Sequence, residues 1–334
     1  MLKSVLAATA TAILTAPMLT ACGDDGPSIT VYNAQHEELI AEIAPIFEEK
    51  TGIEVKLRSG SDLELANQLV QEGDASPADV FLTENSPAMT LVDNAGLLAP
   101  IDQETLDLVP EQFSPSDKKW VGFLARSTVA VYNTNAMKAS ELPDSIMDFA
   151  DPEWAGKIAF SPTGADFQAI VSAVLEIEGE DATRTWLEGL AANGTVYDGN
   201  NVVLEAVDAG EIEAGIIYHY YWYRDQAESG ENSDSSDLYF FGNQDPGAFL
   251  SVSGAGVLDS SEHPEDAQAF VNFLASAEGQ EAIADSYALE YPLNPDVALD
   301  PPVKPFDELE PPTVDVSSLN SEKVVELMQD AGLL

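Results

Sequence analysis

The sequence predicts an open α/β architecture in two lobes, on three observations. A short apolar strand, a polar turn and an amphipathic helix recur in that order along the chain, which favours mixed, mostly parallel sheets covered by helices. Two long strands, "STVAVYNTNAM" and "GAFLSVSGAGVL", are not promptly followed by helices and suit crossings between lobes. Once an apolar leader is set aside, about 310 residues remain, enough for two cores of ordinary size.

The leader, "MLKSVLAATATAILTAPMLTAC", has an early lysine, a small-residue-rich apolar run and a small-residue end. It reads as a signal peptide over residues 1–21, too short and alanine-rich for a durable spanning helix. Cys22, the only cysteine, rules out an intrachain disulfide and sits where a bacterial lipobox carries its lipidated residue. Residues 22–28 then read as a flexible tether. "SITVYNAQHEELIAEIAPIFEEKTG" predicts a strand over Ile29 to Tyr32 and a helix from about His36, with Leu39, Ile40, Ile43, Ile46 and Phe47 on one face and Gly52 as the stop. "ADVFLTENSPAMTLVDNAG" predicts a strand over Asp79 to Leu82, then Ser86 as N-cap and Pro87 at the first helical position. After the first crossing strand come "KIAFSPTGADFQAIVSAVLE", "GTVYDGNNVVLEAVDAG" and "IEAGIIYHYYWYRDQAE". Beyond Tyr291 the chain is rich in proline and acid and closes with a short amphipathic helix over about Ser321 to Met328.

Charge narrows the partners. With 59 acidic and 13 basic residues the formal net charge is −46. Such a surface repels nucleic acid and anionic headgroups. The acids are spread over loops and faces, as in "ESGENSDSSD", so they read as solvated surface and not as a cation site. "HEELI" lacks the second histidine of a zinc protease, and there is no paired-cysteine zinc spacing, P-loop or G-x-S-x-G elbow. His263, before a proline at a helix start, reads as a surface residue.

In open α/β sheets ligands bind where strands end and helices begin. These turns present His36; Glu84 and Asn85; Thr163, Gly164 and Ala165; Asn200 and Asn201; and Tyr218 to Tyr221. Tyr220 and Tyr221 can face one cleft only if the strand has ended before them. Tyr218 and Trp222 or Tyr223 suit packing better, and His219 should face away from Tyr220. Paired phenols, a carboxylate and an imidazole suit a hard trivalent cation: two phenolates and a carboxylate balance three charges, and neutral His36 adds a nitrogen. Four ligands leave an octahedral ion two positions short. "SPTGAD", opening a helix, offers a hydroxyl and backbone N–H groups that would seat a small anion there.

These residues, with "VYNAQHEELI", "LRSGSDLELANQLVQEG", "ADVFLTENSPA", "WVGFLARSTVAVYN", "PEWAGKIAFSPTGADF" and "HYYW", resemble the bacterial ferric-iron-binding proteins, the substrate-binding subunits of iron(III) ABC importers, over almost the whole mature chain. The resemblance implies a type II periplasmic-binding-protein-like fold hinged by two crossing strands, with residues 29–126 plus 251–300 in one lobe and 127–250 plus 301–334 in the other. It implies His36, Glu84, Tyr220 and Tyr221 as ligands of Fe³⁺, and Asn85, Thr163, Gly164, Ala165 and Asn200 as contacts of a synergistic anion such as phosphate or carbonate. Two positions depart from the family pattern: Tyr218 stands where an asparagine is frequent, which makes it a candidate additional ligand, and Thr163 replaces the usual serine. The expectation is a monomeric, non-enzymatic receptor, extracytoplasmic and held to the cell membrane by lipid on Cys22, that serves a permease and an ATPase and binds no nucleic acid. Two rivals remain. A receptor for an organic or phosphorylated solute of the thiamine or phosphonate type would want aromatics at other turns, where few occur. A metal-dependent phosphatase would want more Asp and His ligands than a chain with three histidines offers at its strand ends.

Overall fold

The computed structural model describes residues 26–299, 303–319 and 321–334; the leader, Cys22 and the start of the expected tether lie outside the described residues. The chain opens with β1 (Ser28–Asn33), α1 (Glu37–Thr51), β2 (Glu54–Ser59), α2 (Asp62–Glu72), β3 (Val80–Leu82), α3 (Ser86–Asn94) and the single turn α4 (Gln103–Leu106). The long β4 (Trp120–Asn133) follows, then β5 (Ile158–Phe160), α5 (Ala165–Glu178), α6 (Glu180–Asn193), β6 (Thr195–Val196), α7 (Asn200–Asp208), β7 (Ala214–Tyr218), α8 (His219–Glu228) and β8 (Ser236–Tyr239). The return is β9 (Leu250–Val257), α9 (Pro264–Ala275), α10 (Ala277–Ala284) and β10 (Tyr291–Pro292), and α11 (Ser321–Asp330) comes last. Among the described residues no helix is long and apolar enough to cross a membrane.

The strands form the order β2-β1-β3-β9-β4-β7-β5-β6, with β8 and β10 also paired to β4. β1 runs parallel to β2 and β3, and β5 parallel to β6 and β7. The two long strands join these groups: β9 lies antiparallel to both β3 and β4. β4 changes neighbour at one point, since Ser127 pairs with Leu250 of β9 whereas Thr128 pairs with Tyr218 of β7. All fourteen residues of β4 are buried, as a strand covered on both faces requires.

Separate apolar cores accompany the two groups. The first gathers Val31, Ile40, Phe47, Phe81, Trp120, Val257 and Phe270, together with Leu309 and Val316. The second gathers Phe160, Phe167, Trp186, Ile216, Tyr218 and Tyr220, with Leu327 and Met328 of α11 against it. On the other face of the second sheet, Val129, Val131, Val203, Val207 and Ile217 pack together. Full burial of such a side chain stabilises by roughly 1.5–3 kcal/mol, so each group has an apolar reason to exist. Gly215 belongs to this packing, because a Cβ there would come 2.4 Å from Cγ1 of Val203. Its absence lets α7 lie directly on β7.

Two local expectations change. Ile46 is 37 % exposed, so the buried stripe of α1 is Leu39, Ile40, Ile43, Ala44 and Phe47. Asn85, with φ −130° and ψ 145°, is the N-cap of α3, which moves Ser86 to the first helical position and Pro87 to the second. A buried carboxylate holds that turn in place of a serine cap.

Candidate metal centre

The tyrosine pair owes its placement to where β7 stops. Tyr218 caps α8 in extended conformation (φ −93°, ψ 150°), so His219, Tyr220 and Tyr221 fall in the first helical turn and point in different directions. His219 turns into the protein: Nδ1 accepts the Ser127 N–H at 3.1 Å and its ring stacks on Tyr291 at 4.5 Å. Burial pushes its imidazole down to about 3 and keeps it neutral. Tyr220 and Tyr221 stack on one another at 4.2 Å. The Tyr220 hydroxyl donates to Oε1 of Glu84 at 3.4 Å, and that of Tyr221 to Oδ2 of Asp166 at 2.8 Å.

His36 and Glu84 come from the first group. Asn33 Oδ1 accepts the Gln35 N–H and Gln35 Oε1 accepts the His36 N–H, which shapes the turn from β1 into α1. His36 Nε2 then lies 3.9 Å from Glu84 Oε1 and 3.0 Å from Glu290 Oε1, and its ring meets that of Tyr220 edge-on at 5.5 Å. The turn after β3 is fastened by Asp62, whose carboxylate accepts the N–H groups of Glu84 at 2.8 Å and Asn85 at 2.9 Å.

Asp166, in the first turn of α5, joins the other polar residues. Its carboxylate accepts the Asn85 amide at 3.2 Å, the Asn200 amide at 2.9 Å and the Tyr221 hydroxyl. A negative side chain at a helix start is also favoured by the helix dipole. Asn85 and Asn200, expected to face an exogenous anion, therefore meet a carboxylate of the chain itself. The Tyr218 hydroxyl donates to the backbone carbonyl of Asp166 at 3.2 Å, which sets its buried ring in a packing and anchoring position. Thr163 is exposed, and Gly164 is the N-cap of α5 with no side-chain cap bond; a Cβ added at Gly164 would meet nothing within 4 Å.

One guanidinium ties the first group together. Arg126, fully buried, places Nη2 3.0 Å from Glu290 Oε2, donates to Ser253 Oγ at 2.9 Å and also donates to the Glu84 backbone carbonyl. Leu289, just before Glu290, has φ 54°, a left-handed conformation that costs a non-glycine residue roughly 1–3 kcal/mol. That conformation forms part of the turn leading into the buried carboxylate.

The electrostatics are those of a site short of positive charge. Burial first, and then the Asp166 carboxylate, push the Tyr218, Tyr220 and Tyr221 phenols well above their ordinary value. Glu84 is raised by burial and by Asp166, against the pull of Arg126. Asp62 is pushed up to about 8, mainly by burial and then by Glu84. Burial alone would raise Glu290 too, but Arg126 and His36 outweigh it and hold the carboxyl at about 2. Burial would lower His36, yet the contact with Glu290 raises it. Glu84 and Glu290 thus share one guanidinium. Among the described residues no three His, Cys, Asp or Glu side chains form a metal-sized group.

Asp62, Arg126, Asp166 and Glu290 were absent from the sequence-based expectation. A lone arginine inside the apolar run "WVGFLARSTVAVY" was the available signal for Arg126, and Asp166 directly follows the Thr-Gly-Ala triplet. Glu290, in "YALEYPL", carried none.

Known proteins share this arrangement of the chain. A profile of the family described as bacterial extracellular solute-binding protein matches residues 75–315. The chain is 53 % identical to the Fe(3+)-binding periplasmic protein of Serratia marcescens, covering 97 % of each. It is 39 % identical to the major ferric iron-binding protein of Neisseria meningitidis, over 96 % of this chain and 97 % of that one. Iron-bound HitA from Pseudomonas aeruginosa superposes with a TM-score of 0.87 at 43 % identity, over 92 % of this chain and all of that one.

Proposed function

Because this chain belongs to the bacterial ferric-iron-binding proteins, which are extracellular solute-binding proteins of type II periplasmic-binding fold and not enzymes, we propose that it captures ferric iron outside the cytoplasm and delivers it as a monomer to the permease and ATPase of an ABC importer. The observation that carries this reading is the approach of His36 and Glu84, from the first group of elements, to the stacked Tyr220 and Tyr221 of α8. Oxygen donors of this kind suit a hard trivalent ion. Loading replaces the two phenolic protons, so Fe³⁺ enters as two protons leave, and Tyr220, Tyr221 and Glu84 balance its charge while His36 contributes a nitrogen. Phenols raised by burial hold their protons firmly, so acid favours release, as does reduction to Fe²⁺, which binds phenolates less well.

The lobes assigned to this reading are 29–126 plus 251–300 and 127–250 plus 301–334; of the last segment, α11 packs on the second core, whereas Leu309 and Val316 pack in the first and argue for placing that stretch with the first lobe. The change of neighbour along β4 between Ser127 and Thr128 supports the boundary, and the ion would favour closure through ligands drawn from both sides. Lipid on Cys22 would hold the receptor at the cell membrane.

Two sources remain for the last coordination positions. The start of α5 at Thr163, Gly164 and Ala165, without a side-chain cap bond, supports a synergistic phosphate or carbonate. The Asp166 carboxylate, already among Asn85, Asn200 and Tyr221, favours a donor from the chain itself. A ferric titration of the mature protein, read by visible absorption, tests the whole reading. A stoichiometric phenolate-to-iron band that Tyr220→Phe/Tyr221→Phe loses is expected, and its absence at neutral pH with and without added anion would refute ferric capture. Asp166→Asn then separates the two sources: if the aspartate is the donor, the variant needs added phosphate or carbonate for a band the parent forms without it.

A further inference from the structure

The chain has four arginines, and three of them meet a carboxylate: Arg58 at Glu72, Arg126 at Glu290 and Arg184 at Asp330. Arg224 differs. Among the described residues it lies over two aromatic faces, 5.6 Å from the Tyr220 ring centroid and 4.6 Å from that of Tyr287, in a chain where acids outnumber bases 59 to 13. It stands four residues after Tyr220 on α8, where helical spacing brings the two side chains together.

The second ring belongs to the other group of elements. Tyr287, in the segment after α10, packs against the first core, whereas Tyr220 is part of the second. A path of contacts therefore runs from the tyrosine helix through Arg224 to Tyr287 of the first group.

Resting on the ferric reading above, we infer that Arg224 is a positioning residue: lying over both Tyr220 and Tyr287, it clamps the tyrosine turn to the first group and so lengthens the residence of bound iron. It supplies no ligand. A planar guanidinium can lie flat on two rings at once, which an ammonium does less well. Contacts of this kind in partly desolvated settings correspond to roughly 3- to 30-fold in a rate.

The test uses the mature protein and its Arg224→Lys, Arg224→Gln, Tyr287→Phe and Tyr287→Leu variants, each loaded with one equivalent of iron. The loss of the phenolate-to-iron band is timed after adding excess EDTA, and the apo forms are melted in parallel. Arg224→Gln and Tyr287→Leu are expected to keep the band maximum and release iron roughly 3- to 30-fold faster. Arg224→Lys should lie between Arg224→Gln and the parent, and Tyr287→Phe, which keeps the ring, nearer the parent than Tyr287→Leu. The Arg224→Gln/Tyr287→Leu double variant should release no faster than the faster single variant. Should Arg224→Gln fail to fold, Tyr287→Leu carries the test from the opposite side of the clamp. Release within about twofold of the parent in both single variants, or effects that multiply in the double, would overturn the clamp while leaving ferric capture intact. A parent protein without the band would overturn ferric capture, and the clamp with it.

Discussion

Asp166, Arg126 and Glu290 show what a residue means only once its distant partners are known. His36, Glu84, Tyr220 and Tyr221 stood out in the sequence because their chemistry is scarce or clustered and each falls where a strand gives way to a helix. Arg126 and Glu290 belong to β4 and the approach to β10, and their pairing at 3.0 Å appears only in three dimensions. That buried pair has a measurable consequence. Glu290 is held at about 2 in the folded state against an ordinary 4.5, so it stabilises the fold at pH above 4.5 and loses that contribution as pH falls through 2. The linkage amounts to about 3 kcal/mol, and apo Glu290→Gln should lack this part of the acid dependence when denaturant midpoints are compared between pH 5 and 2. An unchanged pH profile would contradict it. Replacing Arg126 with Met should be harsher, on the order of 3–5 kcal/mol, because an unpaired carboxylate would stay buried.

The elements were largely legible. β1, predicted over Ile29 to Tyr32, runs one residue further at each end, and α1 stops at Gly52 as expected, with φ 75° there. The end of β7 at Tyr218 follows the expectation that the strand must finish before Tyr220 and Tyr221 can share a direction. Misreadings came where side chains far apart in sequence replaced local chemistry. Asp62, not Ser86, fastens the turn before α3, and the buried stripe of α1 leaves out Ile46. Gly215 offers the test at this scale. A methyl there would meet Val203, so Gly215→Ala should push α7 away from β7 and cost about 1–3 kcal/mol. Asn200, at the start of α7, would shift with it against Asp166, and faster iron release with a retained far-UV spectrum is the expected accompaniment. Parent-like stability and release would show that α7 yields there without consequence.

For the whole molecule, the two-group architecture was foreshadowed by length and by two long strands without prompt helices, now β4 and β9. Their pairing with one another could not be read from periodicity, since strand neighbours are chosen by the sheet. The net charge of −46 belongs to this scale as well. Self-repulsion on that surface should weaken as the screening length falls from about 10 Å at 0.1 M salt to about 3 Å at 1 M, so the Tm of the apo protein should rise with sodium chloride over that range. A flat or falling Tm would mean that the acids are already compensated in the fold. On the proposed function, iron is gripped between the two groups by two phenolates, one carboxylate and one imidazole. Anomalous scattering at the iron edge from crystals of the iron-loaded protein decides it: a single peak bonded by Tyr220, Tyr221, Glu84 and His36 is expected, and a peak elsewhere, or one that either tyrosine fails to reach, rules the ligand set out.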